Sequence, residues 1–143
     1  MKSARTLIAI CLLLTAATLF AQLTPTQRLM KVNVPFDFAV EDHPLPAGEY
    51  TIFTVTPERS IRIVSADRKH SVVINTLPNY ANEPSTQNRL VFHKYGDEYF
   101  MTQVWTAFQN VARNPLSGKR AMEIAGSGGK PETKIVIALA EVR

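Results

Sequence analysis

The residues of this chain that could do chemistry are three histidines, a few scattered carboxylates and one glycine-rich serine segment. A metal centre needs imidazoles and carboxylates that converge on one point. His43 lies in a proline-rich turn, His70 at the start of a strand and His93 in a hairpin. No two of them stand at the i, i+4 spacing of a helix or the His-x-His spacing of a strand, so no metal ligand is assigned. Gly126-Ser127-Gly128-Gly129-Lys130 has the glycines of a phosphate loop. Pro131 stands where Ser or Thr would be needed, and the segment leads into a strand instead of leaving one for a helix. It also lacks the strand-to-helix setting of a nucleophile elbow. The segment reads as a linker. Asp37, Glu49, Asp97 and Glu98 could supply an acid/base pair, which requires two carboxyl groups facing one bond. Alternation points Asp37 outward, Asp97 belongs to a turn, and nothing in the spacing draws the four together. No catalytic residue and no cofactor is assigned, and the chain reads as not an enzyme.

The remaining functional candidates are aromatic. Tyr50, Tyr80, Tyr95, Tyr99, Trp105 and Phe108 would ordinarily fill a core. At the mouth of a barrel, such side chains can also bind a small apolar molecule or a sugar. A two-residue period through Glu98 to Ala107 places Tyr99, Met101 and Trp105 on one face. Those three are the candidate ligand-binding residues.

The elements that must carry these residues are strands. Val32, Val34, Phe36, Phe38 and Val40 alternate with Lys31, Asn33, Pro35, Asp37 and Ala39, the pattern of a strand with one face in a core and the other in water. Pro35 lacks an amide donor, so this strand should lie at an edge or carry a bulge there. Glu41 to Gly48 reads as a turn, and Glu49 to Thr56 as a strand rich in β-branched and aromatic residues. Pro57-Glu58-Arg59-Ser60 is a tight turn. Short strands follow at Ile61 to Ser65 and Ser71 to Thr76, then a polar connection from Leu77 to Gln87.

Asn88 to Tyr95 and Glu98 to Ala107 flank Gly96-Asp97, a two-residue hairpin signal. This turn pairs Tyr95 with Glu98 and Phe92 with Met101. Leu90, Phe92, Tyr99, Met101 and Trp105 then share one face; Val91, His93, Phe100 and Val104 share the other. Ser117 is positioned to cap a short helix from Lys119 to Ile124, with Gly126 as its stop. The rest of Phe108 to Gly129 reads as loop, and Thr133 to Val142 as an apolar last strand. The expected fold is all-β: a small antiparallel β-sandwich or flattened β-barrel of about seven strands, with one short helix before the last.

The first 21 residues have a different task. Lys2 and Arg5 precede 14 uncharged, mostly apolar residues, Leu7 to Phe20, and the small Ala21 follows. A membrane-spanning helix needs roughly 20 apolar residues, so the run has the length of a secretory signal peptide, cleaved after Ala21. The expected organisation is a signal peptide at 1–21, a spacer at 22–30 and a single β-domain at 31–143. The only cysteine, Cys11, lies in the leader, which excludes disulfides and thiol chemistry from the exported chain. Of 16 basic residues, two also lie in the leader, leaving 14 against 12 acidic ones. With so small an excess and no long basic run, nucleic acid is not a partner. Nor does a stable membrane anchor remain after cleavage.

Val34-Pro35-Phe36-Asp37-Phe38, Leu45-Pro46-Ala47-Gly48-Glu49-Tyr50 and Tyr95-Gly96-Asp97-Glu98-Tyr99-Phe100 together resemble a family of small secreted bacterial β-proteins. The resemblance covers most of the exported length. It implies a VPFDF-type strand, an LPAGxY turn, a YGDxYF hairpin and a charged helix before the last strand. It implies no activity. The functional expectation is a secreted or periplasmic, non-enzymatic β-domain that binds a partner or belongs to the cell envelope. The alternatives are a carrier of a small apolar molecule or sugar in a barrel pocket, and a hydrolase with dispersed catalytic residues.

Overall fold

The computed structural model describes residues 26–139. The proposed signal peptide and the first part of the spacer lie outside the described residues. Ten strands and one helix follow in the order β1 (Arg28–Val34), β2 (Phe38–Val40), β3 (His43–Leu45), β4 (Gly48–Thr56), β5 (Ser60–Ser65), β6 (Ser71–Tyr80), β7 (Arg89–Tyr95), β8 (Glu98–Trp105), β9 (Val111–Pro115), α1 (Lys119–Gly126) and β10 (Glu132–Ile137). The all-β reading and the short helix before the last strand hold. The extra strands have local causes. Pro35 breaks the first strand, so the alternating run becomes β1 and β2. The proline-rich turn contains β3, and β9 occupies a stretch that sequence reads as loop. The start of β1 at Arg28 also shortens the spacer.

The strands form a single sheet. Antiparallel neighbours run β1-β4-β5-β6-β9-β8-β7-β10. The sheet returns to its start where the Leu139 N–H donates to the Lys31 carbonyl at 2.8 Å. β6 turns the corner: Ser71–Asn75 pair with β5, and Thr76–Tyr80 pair with β9. The β2–β3 hairpin attaches to β8 through one parallel pair, Ala39 with Phe100.

The core fills the inside. Val32, Val34, Val40, Ile52, Ile61, Ile63, Leu90, Phe92 and Val104 are almost completely buried. Each such side chain contributes about 1.5–3 kcal/mol by leaving water. The face predicted from Val32 to Val40 is the core face, with Phe36 half-buried at its margin. Gly96 takes φ +59°, and the hairpin pairs Tyr95 with Glu98 and Phe92 with Met101, as its turn residues dictate.

Candidate functional site

α1 is held to the barrel by polar contacts at one end. Its first amide, Lys119 N–H, donates to Asp42 Oδ1 at 2.7 Å. Asp42 thus does from the β2–β3 turn what a capping side chain does locally. Gly118 immediately precedes the helix and makes no side-chain cap, and Ser117 is not the N-cap residue. A Cβ at position 118 would overlap the backbone carbonyl of Glu41, so only glycine lets the helix start this close to the turn. Arg120 then forms a two-pronged bridge to Glu98, Nε to Oε1 at 3.1 Å and Nη2 to Oε2 at 3.0 Å. These hydrogen bonds hold the Glu98 carboxyl below its ordinary range and raise Arg120. No side chain of α1 is buried. The glycine-rich segment closes the helix: Gly128 and Gly129 donate to Ala125 and Ile124 carbonyls, with Gly128 at φ +85°.

Between α1 and the outer face of β7, β8 and β9 lies a cleft of about 290 Å³. Ala121, Met122 and Ala125 line it from the helix; His93, Tyr95, Phe100, Gln103 and Asn114 line it from the strands. The Tyr95 and Phe100 rings meet edge-on with centroids 6.0 Å apart. Glu41 is the only Asp, Glu, Lys or Arg among the lining residues. Its backbone sits at φ +54°, a region that costs a residue with a Cβ about 1–2 kcal/mol. On two of the lining residues one side-chain oxygen, Glu41 Oε1 and Asn114 Oδ1, is closed to solvent and accepts no hydrogen bond among the described residues. The Gln103 amide oxygen is already taken, by the Trp105 indole N–H at 2.9 Å.

A shallower depression of about 380 Å³ adjoins the cleft and shares Glu41 and Phe100 with it. Asp37, Asp42, Asp97 and Glu98 also border this depression, with Arg120 as its one basic residue. Three of the four carboxylates weighed in the sequence therefore do gather, at the join between β2 and β8. Asp37 accepts the Ala47 N–H at 2.7 Å and Glu98 holds Arg120. Glu49 stands apart, paired with Lys31 at 2.9 Å.

Tyr99, Met101 and Trp105 do not form one pocket, which corrects the face assignment. A register shift between Val91 and Phe92 sets Phe92 opposite Met101 but Val91 opposite Gln103. The extra residue, Thr102, reverses the alternation. Met101 and Val104 both point into the core, while Trp105 packs outside with Val91 and Ala112, under the Arg89 guanidinium. Tyr99 stacks on Phe36 at 3.8 Å and borders the shallow depression. Met101 is buried in the core where it meets the cleft. His43, His70 and His93 lie on separate strands or turns, and no group of three or more His, Cys, Asp or Glu is placed to hold a metal among the described residues.

Sequence reasoning missed Glu41 and Asn114 as lining residues. Their positions depend on the parallel β2–β8 pair and on β9, neither of which has a periodic signal. The chain matches no protein-family model, no curated protein and no solved structure.

Proposed function

We propose that this protein is a non-enzymatic β-domain that acts after export by binding a small molecule in the cleft beneath α1. One observation carries the reading: a cleft of about 290 Å³ between α1 and the strands combines apolar and aromatic side chains, Tyr95, Phe100 and Met122 among them, with a few polar ones. A concave wall of this kind gives a small molecule both a surface to cover and groups to orient it. The core occupies the inside of the barrel, so the reading places the ligand outside it. Export rests on the charged, apolar and small-residue order of the first 21 residues.

The test is a thermal-shift screen of the exported chain against small polar molecules. A binder at a hundred times its Kd raises stability by about 2.7 kcal/mol. Ala121→Trp, placed on the helix to fill the cleft, should abolish the shift without lowering the melting temperature of the free protein. A binder unaffected by Ala121→Trp would place the ligand elsewhere. Turnover of an ester, glycoside or peptide substrate would overturn the non-enzymatic reading. Export is checked by N-terminal sequencing of the secreted chain, which should begin at Gln22.

A further inference from the structure

We infer that α1 is a lid on the cleft that opens by local unfolding, and that a molecule held between the helix and the strands keeps it folded. This rests on the cleft being a binding site, as proposed above, and adds how that site opens and closes.

The residues of α1 do not hold it in shape by themselves. Eight residues, Lys119–Gly126, fall short of the length at which a helix is stable alone in water. Gly118, which precedes it, has no side chain to cap it. The first turn has no acidic residue and the last turn no basic one. Lys119 and Arg120 instead place two positive charges where the helix dipole is already positive. The Arg120–Glu123 pair at 3.3 Å is exposed and adds little.

Packing does not hold it either. Helices in proteins owe most of their stability to an apolar face pressed against a neighbour. No side chain of α1 is buried, and Ala121, Met122 and Ala125 border open space of about 290 Å³. The barrel supplies two polar contacts in place of that packing. Asp42 Oδ1 accepts the Lys119 N–H at 2.7 Å, and Glu98 accepts from Arg120 at 3.0 and 3.1 Å. Both sets of contacts are exposed, and both act on the first two residues of the helix. At the far end, Gly126, Gly128 and Gly129 have no side chains to resist a change of backbone course.

An element with few apolar contacts and exposed hydrogen bonds opens before the rest of a fold does. When α1 leaves, the outer face of β7, β8 and β9 beneath it is uncovered, with Tyr95, Phe100 and Gln103. A small molecule in the cleft touches Ala121 and Met122 on one side and these strand residues on the other. It supplies the packing that α1 lacks. Occupancy and helix formation therefore favour each other, and whatever stabilises one tightens the other.

The experiment is hydrogen exchange, read by mass spectrometry, on the exported chain. The α1 amides should exchange about a hundredfold faster than those of β8 beneath them. Low urea should leave the α1 rate unchanged, because a local opening exposes little surface. Ala121→Trp fills the cleft from the helix side and stands in for an occupant. It should slow α1 exchange about tenfold. A second variant is independent of that fit. Glu98→Cys with Arg120→Cys, joined by bis(maleimido)ethane, replaces the bridge with a covalent link, and the exported chain has no other cysteine to interfere. The link should slow α1 exchange several-fold, with β5 unaffected. Exchange in wild-type α1 as slow as in β8 would overturn the lid, since the helix would then open only with the whole barrel. Exchange unchanged by both Ala121→Trp and the link would overturn the coupling between the cleft, the bridge and the opening. No ligand enters these measurements. A thermal-shift screen without a binder would therefore remove the binding reading and leave the local opening of α1 established.

Discussion

Asp42 caps a helix that begins 77 residues further along the chain, its Oδ1 accepting the Lys119 N–H at 2.7 Å. The contact ties the β2–β3 turn, which carries Glu41, to the start of α1. Asp42→Ala should therefore do more than remove a cap worth about 0.5–2 kcal/mol. It should loosen the roof of the cleft. Hydrogen exchange is the measurement: the α1 amides should exchange faster in Asp42→Ala, while those of β5 stay protected. Unchanged exchange in α1 would show that the cap does not hold the helix down.

The second attachment, Arg120 to Glu98, is open to solvent and to pH. The Arg120 hydrogen bonds depress the Glu98 carboxyl in the folded state. A group depressed on folding stabilises the fold above its unfolded pKa, and the contribution disappears as pH falls through the folded value. Arg120 stays charged throughout. Protection of α1 should thus decline on acidification below the ordinary carboxylate range, and salt should lower it at neutral pH. Glu98→Gln should weaken both dependences, leaving what the Asp42 carboxylate and the Arg120–Glu123 pair contribute. Because the pair is exposed, the effect belongs to the helix and not to global stability.

Gly118→Ala tests the close approach directly. The added Cβ would meet the Glu41 carbonyl, a backbone group that cannot swing away. Strain of this kind costs about 1–3 kcal/mol. The variant should melt lower, and it should lose ligand binding in the cleft even though residue 118 adds only a methyl group. Wild-type binding together with a normal melting temperature would mean that the turn and the helix can part without consequence.

The first strand shows how far sequence carries the fold. Valine and phenylalanine at every second position specify the core face without reference to any other part of the chain. Gly96-Asp97 specifies its hairpin for the same local reason. Legibility ends where the structure depends on contacts between distant segments. The Thr102 bulge has no marker in the sequence, yet it moves Trp105 from the core face to the outside. The β2–β8 pair is a single parallel bridge, yet it gathers the acidic residues. Asp37 illustrates both halves. It does face outward, as alternation requires, and Asp37→Ala would be silent by that criterion alone. Its Oδ1 nevertheless accepts the Ala47 N–H at 2.7 Å. Asp37→Ala should cost about 0.5–1.5 kcal/mol by urea unfolding. Phe36→Ala, which removes the ring stacked on Tyr99 and edge-on to Phe92, should cost about 3 kcal/mol.

Arg113 is the least expected residue inside the barrel. It is 5% exposed, its Nε has no partner, and its Nη1 donates to Thr106 Oγ1 at 3.2 Å. Burial pushes its pKa down, and the charge of Glu58 only partly offsets this. No carboxylate reaches it within salt-bridge distance among the described residues. A buried ion in this position pays several kcal/mol in lost hydration. Arg113→Met keeps a long flexible side chain, removes the charge and leaves only the Thr106 hydroxyl without its donor. The barrel should tolerate this change or gain up to about 4 kcal/mol in urea unfolding. Arg113→Gln retains polar atoms that still need partners in the same place, so it should be the less stable of the two. If Arg113→Met instead loses more than about 1 kcal/mol, the guanidinium is better satisfied in solution than its contacts indicate, and the ranking of the two variants will reverse with it.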